Sequence, residues 1–306
     1  MLGRTLLLQM ASNKKLESFV RNNGLAVRSA SRFVAGESVE AVIEPVKALN
    51  AQGISATLDL LGESVTNEQE VAEVLDTYLQ LFQNIGAQNL NANVSIKLTA
   101  LGLDIDPELC YRNMERLLNA AGPEQFVRID MESSDYTQRT LDLFLRLWNG
   151  PAQYRNVGVV IQSYLHRSAD DIEMLIKLGA RVRLCKGAYK EPPTVAFPEK
   201  SEVDANYVRL MERLLKDGNY PGIATHDEKI IAATKAYAAA NSIGMERFEF
   251  QMLYGIRRDL QTQLVKEGYR VRVYTPFGTH WYPYMMRRLA ERPANLWFVL
   301  KNSLRG

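Results

Sequence analysis

Two adjacent arginines near the C-terminus are among the residues whose types and spacing could do chemistry. In "YPYMMRRLAERP" (Tyr282–Pro293), Tyr284, Arg287, Arg288 and Glu291 fall at i, i+3, i+4 and i+7 and so share one helix face. Met285, Met286, Leu289 and Ala290 can turn towards a core. Paired guanidiniums suit the grip of a small anion, because a planar fork of N–H donors matches a carboxylate or phosphate. The same stripe also suits an ordinary solvated face, and spacing alone does not choose between the two.

Further polar residues recur inside short apolar runs. "NVSIKLT" carries Lys97, "FVRIDMES" carries Asp130 and Glu132, and "VGVVIQSY" carries Gln162. "RVRLCKGAY" holds Arg183 and Lys186 followed by Gly187, while "GIATHD" ends in Thr225, His226 and Asp227. "FEFQMLYG" includes Gln251 and Tyr254, and "YRVRVYTPFG" includes Tyr274. A charge on a strand buried on both faces is costly unless it is paired or opens onto a cavity. Several such residues on different strands therefore point to one shared site for a small anionic molecule. Structural readings stand beside this one. Lys97 could pair with a neighbouring carboxylate such as Asp130, Gln162 could satisfy backbone groups, and Asp59 and Glu63 could be rim or structural residues.

The histidines His166, His226 and His280 show no HExxH or HxH spacing, and Cys110 and Cys185 form no CxxC. No metal site and no disulfide scaffold is expected. GxGxxG and GxxxxGK[ST] are both absent, which argues against a dinucleotide-binding Rossmann unit and a P-loop. Gly187, just after a strand, lets a ligand approach the backbone.

The elements that must position these residues form a regular series. Eight strands are expected, at Ser55–Glu63, Asn93–Thr99, Phe126–Ser133, Val157–Tyr164, Arg181–Tyr189, Gly222–Asp227, Phe248–Gly255 and Tyr269–Gly278. Helix-period stretches separate them, with starts at Thr66 or Asn67 and at Asp106–Pro107. Eight strands each followed by a helix imply an α/β protein, a (βα)₈ TIM-type barrel, with its site at the C-terminal strand ends. Residues 1 to about 50 read as extra N-terminal helices ("KKLESFVRNN", "VEAVIEPVKALN") accessory to a single domain over 1–306. With 306 residues, 46% of them hydrophobic, the chain can bury one full barrel core. A net charge of +2 without basic blocks gives nucleic-acid binding little support. No apolar run has signal-peptide or transmembrane length, so a cytoplasmic protein is expected, with peripheral contact at the inner face of the membrane still compatible.

The segments "SIKLTALG", "RIDMES", "VVIQSYL", "RLCKGAYKEP", "ATHD", "FEFQMLYG", "VYTPFG" and "YPYMMRRLAE" together resemble the proline dehydrogenase family in order and strand position, from about Arg32 onwards. The resemblance implies a distorted (βα)₈ barrel that binds FAD and oxidises L-proline to pyrroline-5-carboxylate. It implies hydride transfer to the flavin and electrons passed to a membrane quinone. Arg287, Arg288 and Lys97 would hold the proline carboxylate, Tyr274, Tyr284 and Leu253 would line the ring, and Glu291 would orient the arginines or close a lid. Gln162 and Arg183 would lie against the flavin ring. Met131, Lys186, Gly187, Ala188, Thr225 and His226 would line the ring, the ribityl chain and the phosphates. Asp130 matches an active-site carboxylate, expected to fix Lys97 or order the site's hydrogen bonds; with Arg183 it is the expected catalytic pair.

Cys185 departs from the valine or isoleucine expected there. The length suits a monofunctional form whose product passes to a separate pyrroline-5-carboxylate dehydrogenase. A bulky Tyr274 favours proline over hydroxyproline. Two other functions fit the residues alone: a Schiff-base aldolase using Lys97 or Lys186, and a barrel that binds a small amino acid without chemistry.

Overall fold

The computed structural model describes residues 31–62 and 65–291, with Glu17 and Val20 besides; in the last helix, side chains are described through residue 286. Helix α1 (Val39–Asn50) matches the expected "VEAVIEPVKALN", with Ser38 capping its first turn. The expected helix over "KKLESFVRNN" falls almost wholly outside the described residues, and Glu63 lies outside them too.

Eight parallel strands follow: β1 (Ser55–Leu60), β2 (Ala92–Ile96), β3 (Val127–Ile129), β4 (Val157–Gln162), β5 (Arg181–Cys185), β6 (Gly222–Ala224), β7 (Glu249–Leu253) and β8 (Val271–Phe277). They hydrogen-bond in sequence order and close through β1 against β8, with Ser55 opposite Arg272 and Leu60 opposite Phe277. Each observed strand lies within its expected span or overlaps it to within a residue, but most stop earlier at the C-terminal end. "FVRIDMES" contributes only Val127–Ile129 to the sheet. The polar residues that follow leave the ladder and turn over the barrel mouth.

A helix follows every strand: α2 (Glu68–Ala87), α3 (Pro107–Ala121), α4 (Ser134–Asn149), α5 (Ser168–Leu178), α6 (Lys200–Asp217), α7 (Glu228–Ala240), α8 (Arg258–Lys266) and α9 (Trp281–Glu291). Asn67 caps α2 by accepting from the Glu70 amide at 3.0 Å. Asp106 caps α3 through the Glu108 and Leu109 amides, with Pro107 at the first helical position, where no N–H is needed. The main core lies between the strands and their outer helices, around Leu58, Val94, Ile129, Val159, Leu184 and Phe250.

The last helix departs from that pattern. Trp281, Tyr282, Tyr284, Met285 and Met286 on α9 pack with Phe33, Val34, Leu61 and Ile256 in a second cluster. Leu61 and Ile256 follow the C-terminal ends of β1 and β7, so α9 covers that rim. This is the distortion of the barrel.

Inside the barrel, strand periodicity turns polar side chains into the lumen, and glycines make room for them. A Cβ on Gly158 of β4 would stand 2.7 Å from Arg128 Nη1, and one on Gly222 of β6 would overlap the Gln251 side chain.

Candidate active site

The rim-end lumen is organised around Asp130, directly after β3. Its Oδ1 accepts from Arg183 Nη1 at 2.7 Å and from Ser95 Oγ at 2.7 Å. Its Oδ2 accepts from the Tyr274 hydroxyl at 2.7 Å. Three strands thus converge on one carboxylate, and charge-assisted bonds of this kind are roughly twice as strong as neutral ones. Burial, reinforced by the Asp130 and Asp59 carboxylates, pushes the Tyr274 phenol far above its ordinary value and keeps it a proton donor.

Arg183 is the second centre. Nη1 also meets Ser95 Oγ at 3.2 Å, and Nε donates to Gln251 Oε1 at 2.5 Å. Gln251 is anchored in turn: its Nε2 donates to Glu249 Oε1 at 2.7 Å, and Arg272 Nε meets the same oxygen at 2.7 Å. A continuous polar chain therefore runs up the lumen from Arg272 to Tyr274. One donor is left over, because Arg183 Nη2 is buried and has no hydrogen-bond partner. A buried unsatisfied donor costs free energy unless a ligand meets it.

Beside this cluster Lys97, after β2, pairs with Asp59 of β1 at 3.0 Å. Asp59 is 1% exposed. Burial pushes its carboxyl up to about 6, against the pull of Lys97 and with the push of Asp130. Of the two roles expected for Asp130, fixing Lys97 or ordering the site's hydrogen bonds, its contacts match the second. Asp130 orders the hydrogen bonds of the site, and Asp59, expected at the rim or in a structural role, is the carboxylate that holds the lysine. Asp130 Oδ1 accepts from Arg183 and Ser95 and Oδ2 from Tyr274, whereas Lys97 Nζ donates to Asp59 Oδ1 at 3.0 Å.

On the β4–β6 side, Gln162 donates from Nε2 to the Glu132 carbonyl at 2.8 Å, and Met131 is buried. The Glu132 carboxylate accepts from Thr99 Oγ1 at 2.8 Å, which ties the loop after β3 to the turn after β2. Lys186 stands 2.5 Å from Asp204 and 2.9 Å from Asp227, and its hydrogen bond holds the Asp227 carboxyl below the usual range. An opening of about 390 Å³ beside them is lined by Lys200, Asp204, Val208, Asp227, Lys229 and Ile230. Gly187 has φ +105°, and a side chain there would overlap the Tyr164 ring. Ala188 is exposed next to it, and Thr225 is buried with its hydroxyl accepting from the Asp227 amide at 3.0 Å. His226 Nε2 accepts from the Leu253 amide at 3.0 Å, so its ring proton sits on Nδ1.

Of the expected residues, Asp130, Arg183 and Tyr274 thus meet directly, Lys97 stands beside them on Asp59, and Gln162, Lys186, Gly187, Ala188, Thr225, His226 and Leu253 occupy strand ends or adjoining loops on the same rim. Tyr284 lies on α9 and is buried in the cluster that the helix makes with Phe33, Val34, Leu61 and Ile256. The side chains of Arg287, Arg288 and Glu291 lie outside the described residues, although helical backbone extends through 291 and puts positions 284, 287, 288 and 291 on one face. Ser95 was not named from the sequence, Asp59 was read as a rim or structural residue, and Gln251 was named on its strand without a role. The signal was present for two of them. Asp59 lies opposite Ser95 in register, and Ser95 is two residues before Lys97, which by strand alternation puts both on the lumen side.

A flavin is the group the resemblance implies, and the residues present fit one. The unpaired Arg183 Nη2 offers a buried donor, and the opening beside Lys186, lined by Lys200 and Lys229 together with Asp204 and Asp227, offers room; at Gly187 the expected close approach is taken up by the Tyr164 ring.

A family model described as proline dehydrogenase matches residues 42–301. The chain is 43% identical over 303 residues to proline dehydrogenase 1 of Bacillus subtilis, covering 99% of each. It is 44% identical to proline dehydrogenase of Deinococcus radiodurans, covering 100% of this chain and 99% of the relative. Among solved structures, proline utilization A from Bdellovibrio bacteriovorus, inactivated by N-propargylglycine, superposes with a TM-score of 0.81 at 27% identity. That match covers 94% of this chain and 38% of the larger protein.

Proposed function

Because this chain belongs to the proline dehydrogenase family, we propose that it oxidises L-proline to pyrroline-5-carboxylate with FAD as hydride acceptor and a membrane quinone as the onward electron acceptor. The single observation that carries the reading is Arg183: a buried guanidinium fixed by Asp130, Ser95 and Gln251, with Nη2 unpaired at the active end of the barrel. A fixed cation in a water-poor site stabilises negative charge as it develops, which favours a reduced flavin.

FAD, when bound, supplies the hydride acceptor. Gln162, Arg183 and Met131 would lie at its ring, with Lys186, Gly187, Ala188, Thr225 and His226 along the ribityl chain and phosphates. Lys97 contributes one cation to the proline carboxylate, and Arg287 and Arg288 supply the planar forks. Tyr274, Tyr284 and Leu253 wall the pyrrolidine ring, and Glu291 orients the arginines. Asp130 holds Arg183 in place and keeps the Tyr274 proton directed at its own Oδ2. The apolar cluster under α9 excludes water from the mouth. The product would pass to a separate pyrroline-5-carboxylate dehydrogenase. No helix among the described residues is long and apolar enough to cross a membrane. In the proposed reading, quinone reduction takes place by peripheral contact at the inner face of the membrane from a cytoplasmic location.

The lysine chemistry is disfavoured. A Schiff-base lysine needs apolar or cationic surroundings, whereas Lys97 and Lys186 both stand in ion pairs with carboxylates. The test is an absorbance spectrum of the purified protein before and after L-proline without oxygen. Flavin bands that bleach on proline support the reading. Flavin bands indifferent to proline would remove the substrate, and a protein that stays colourless after incubation with FAD would remove the reading altogether.

A further inference from the structure

The opposite end of the barrel holds a second cationic cluster that the proline chemistry does not use. The strands begin there, and that face of such barrels ordinarily serves stability. An opening of about 420 Å³ is lined by Ser55, Asn91, Arg181, Tyr220, Arg270 and Arg272. The Arg181 and Arg270 guanidiniums stand 5.4 and 5.5 Å from the Tyr220 ring centroid. Just inside, Arg128 reaches the same level, donating from Nη1 to the Arg181 carbonyl at 2.5 Å and the Val159 carbonyl at 3.1 Å. Arg128 is 3% exposed, and its buried Nε has no partner.

The charges here do not balance. Among the described residues, Glu249 is the one carboxylate within ion-pair distance of any of these four guanidiniums, at 2.7 Å from Arg272. Its oxygens are already engaged: Oε1 accepts from Arg272 and Gln251, and Oε2 accepts from the Tyr220 hydroxyl at 3.1 Å. The Tyr220 hydroxyl, and more weakly Glu246 through space, favours the charge on Arg270, but Glu246 makes no ion pair with it. Stacking on Tyr220 orients guanidiniums without neutralising them. Burial, then the neighbouring cations Arg183, Arg272 and Arg181, push the Arg128 guanidinium well below its ordinary value, with Glu249 opposing. Like charges gathered around a low-dielectric opening cost stability and attract counter-ions. A face serving stability alone would be expected to pair them.

We propose that the N-terminal mouth of the barrel binds a small polyvalent oxyanion of the phosphate class, clamped by Arg181, Arg270 and Arg272 with Ser55 and Asn91 as neutral donors. Three guanidiniums supply more donors than a monocarboxylate can accept, whereas a phosphate accepts several and carries more than one charge. An opening of about 420 Å³ has room for a phosphate ester as well as a free ion. The site goes beyond the oxidation of proline and does not depend on it.

The test is calorimetric titration of the full chain with inorganic phosphate, pyrophosphate and glycerol phosphate at constant ionic strength, with chloride as the monovalent control. Saturable binding of a phosphate compound is expected, and Arg270→Ala and Arg181→Ala should each weaken it by about tenfold or more. Tighter binding of the ester than of the free ion would mark a metabolite as the occupant; the reverse order would mark phosphate itself. Both variants change exposed side chains without ion pairs, so folding is not at stake. Lys229→Ala, at the opposite rim, should leave the affinity unchanged. No saturable heat, or binding lost in Lys229→Ala but kept in Arg270→Ala, would overturn the proposal.

Discussion

Asp130 and Arg183 form the buried ion pair on which the rim is built, with Oδ1 and Nη1 2.7 Å apart and the two side chains 13% and 7% exposed. Removing one partner from such a pair leaves an uncompensated buried charge. Asp130→Ala should therefore cost about 3–5 kcal/mol of stability, read as a lower denaturation midpoint. Asp130→Asn retains an acceptor for Tyr274 and should cost less. Equal losses in both variants would mean that the charge carries the whole effect, and an Asp130→Asn variant as stable as wild type would mean that the charge does not matter.

Asp59 makes stability depend on pH. Its folded carboxyl, pushed up to about 6, binds a proton more tightly than the unfolded one, with a reference value of 3.8. Protonation therefore stabilises the fold. That contribution is full below about 4 and is lost as pH rises through about 6. Between pH 5 and 7 the loss from this one group is about 1 kcal/mol. Denaturant midpoints compared at those two pH values in wild type and Asp59→Asn should show this component only in the wild type. A variant with the same pH slope would assign the effect elsewhere.

Gln251 is a positioning residue for Arg183. Its amide joins Arg183 Nε to the Glu249 carboxylate, in space that Gly222 leaves open. Gln251→Leu keeps the approximate volume but strips both bonds, so the guanidinium can swing away from its place. Misplacement of a charged group by about 1 Å can cost about 10²-fold in rate. The loss should fall on kcat, with a shifted flavin midpoint potential and little change in KM. An unaltered potential would remove the positioning role.

Much of this arrangement was legible before folding, because strand-end charges in a barrel can only face the mouth or a partner. Lys97, Asp130, Arg183 and Tyr274 stood out for that reason; the last three meet directly, and Lys97 stands beside them on Asp59. Partner choice was not legible. Asp59 and Asp130 are both carboxylates on lumen positions, and which one takes Lys97 depends on where Arg183, Ser95 and Tyr274 hold Asp130 in three dimensions. Nor did the pattern of α9 distinguish a helix lying outside the barrel wall from one lying across the rim, because both bury one stripe. Gly158 and Gly222 read as ordinary strand glycines until the lumen side chains they accommodate are seen.

Tyr274 joins the hydrogen-bond order of the site to substrate choice. Its ring lies 5.3 Å from the Arg183 guanidinium carbon, and its hydroxyl is committed to Asp130 Oδ2. Replacing it with serine removes the ring, so a pyrrolidine bearing an extra hydroxyl gains room. The same change frees Asp130 Oδ2 as an acceptor. Tyr274→Ser should lower kcat/KM for L-proline while raising the ratio of 4-hydroxyproline to proline activity, by about tenfold if one hydrogen bond of ordinary strength is gained. Tyr274→Phe separates the two causes: it keeps the wall and frees the oxygen. If selectivity changes only in Tyr274→Ser, the ring is the barrier. If Tyr274→Phe alone matches it, the freed carboxylate oxygen is responsible. If neither changes selectivity, Tyr274 does not bound the substrate.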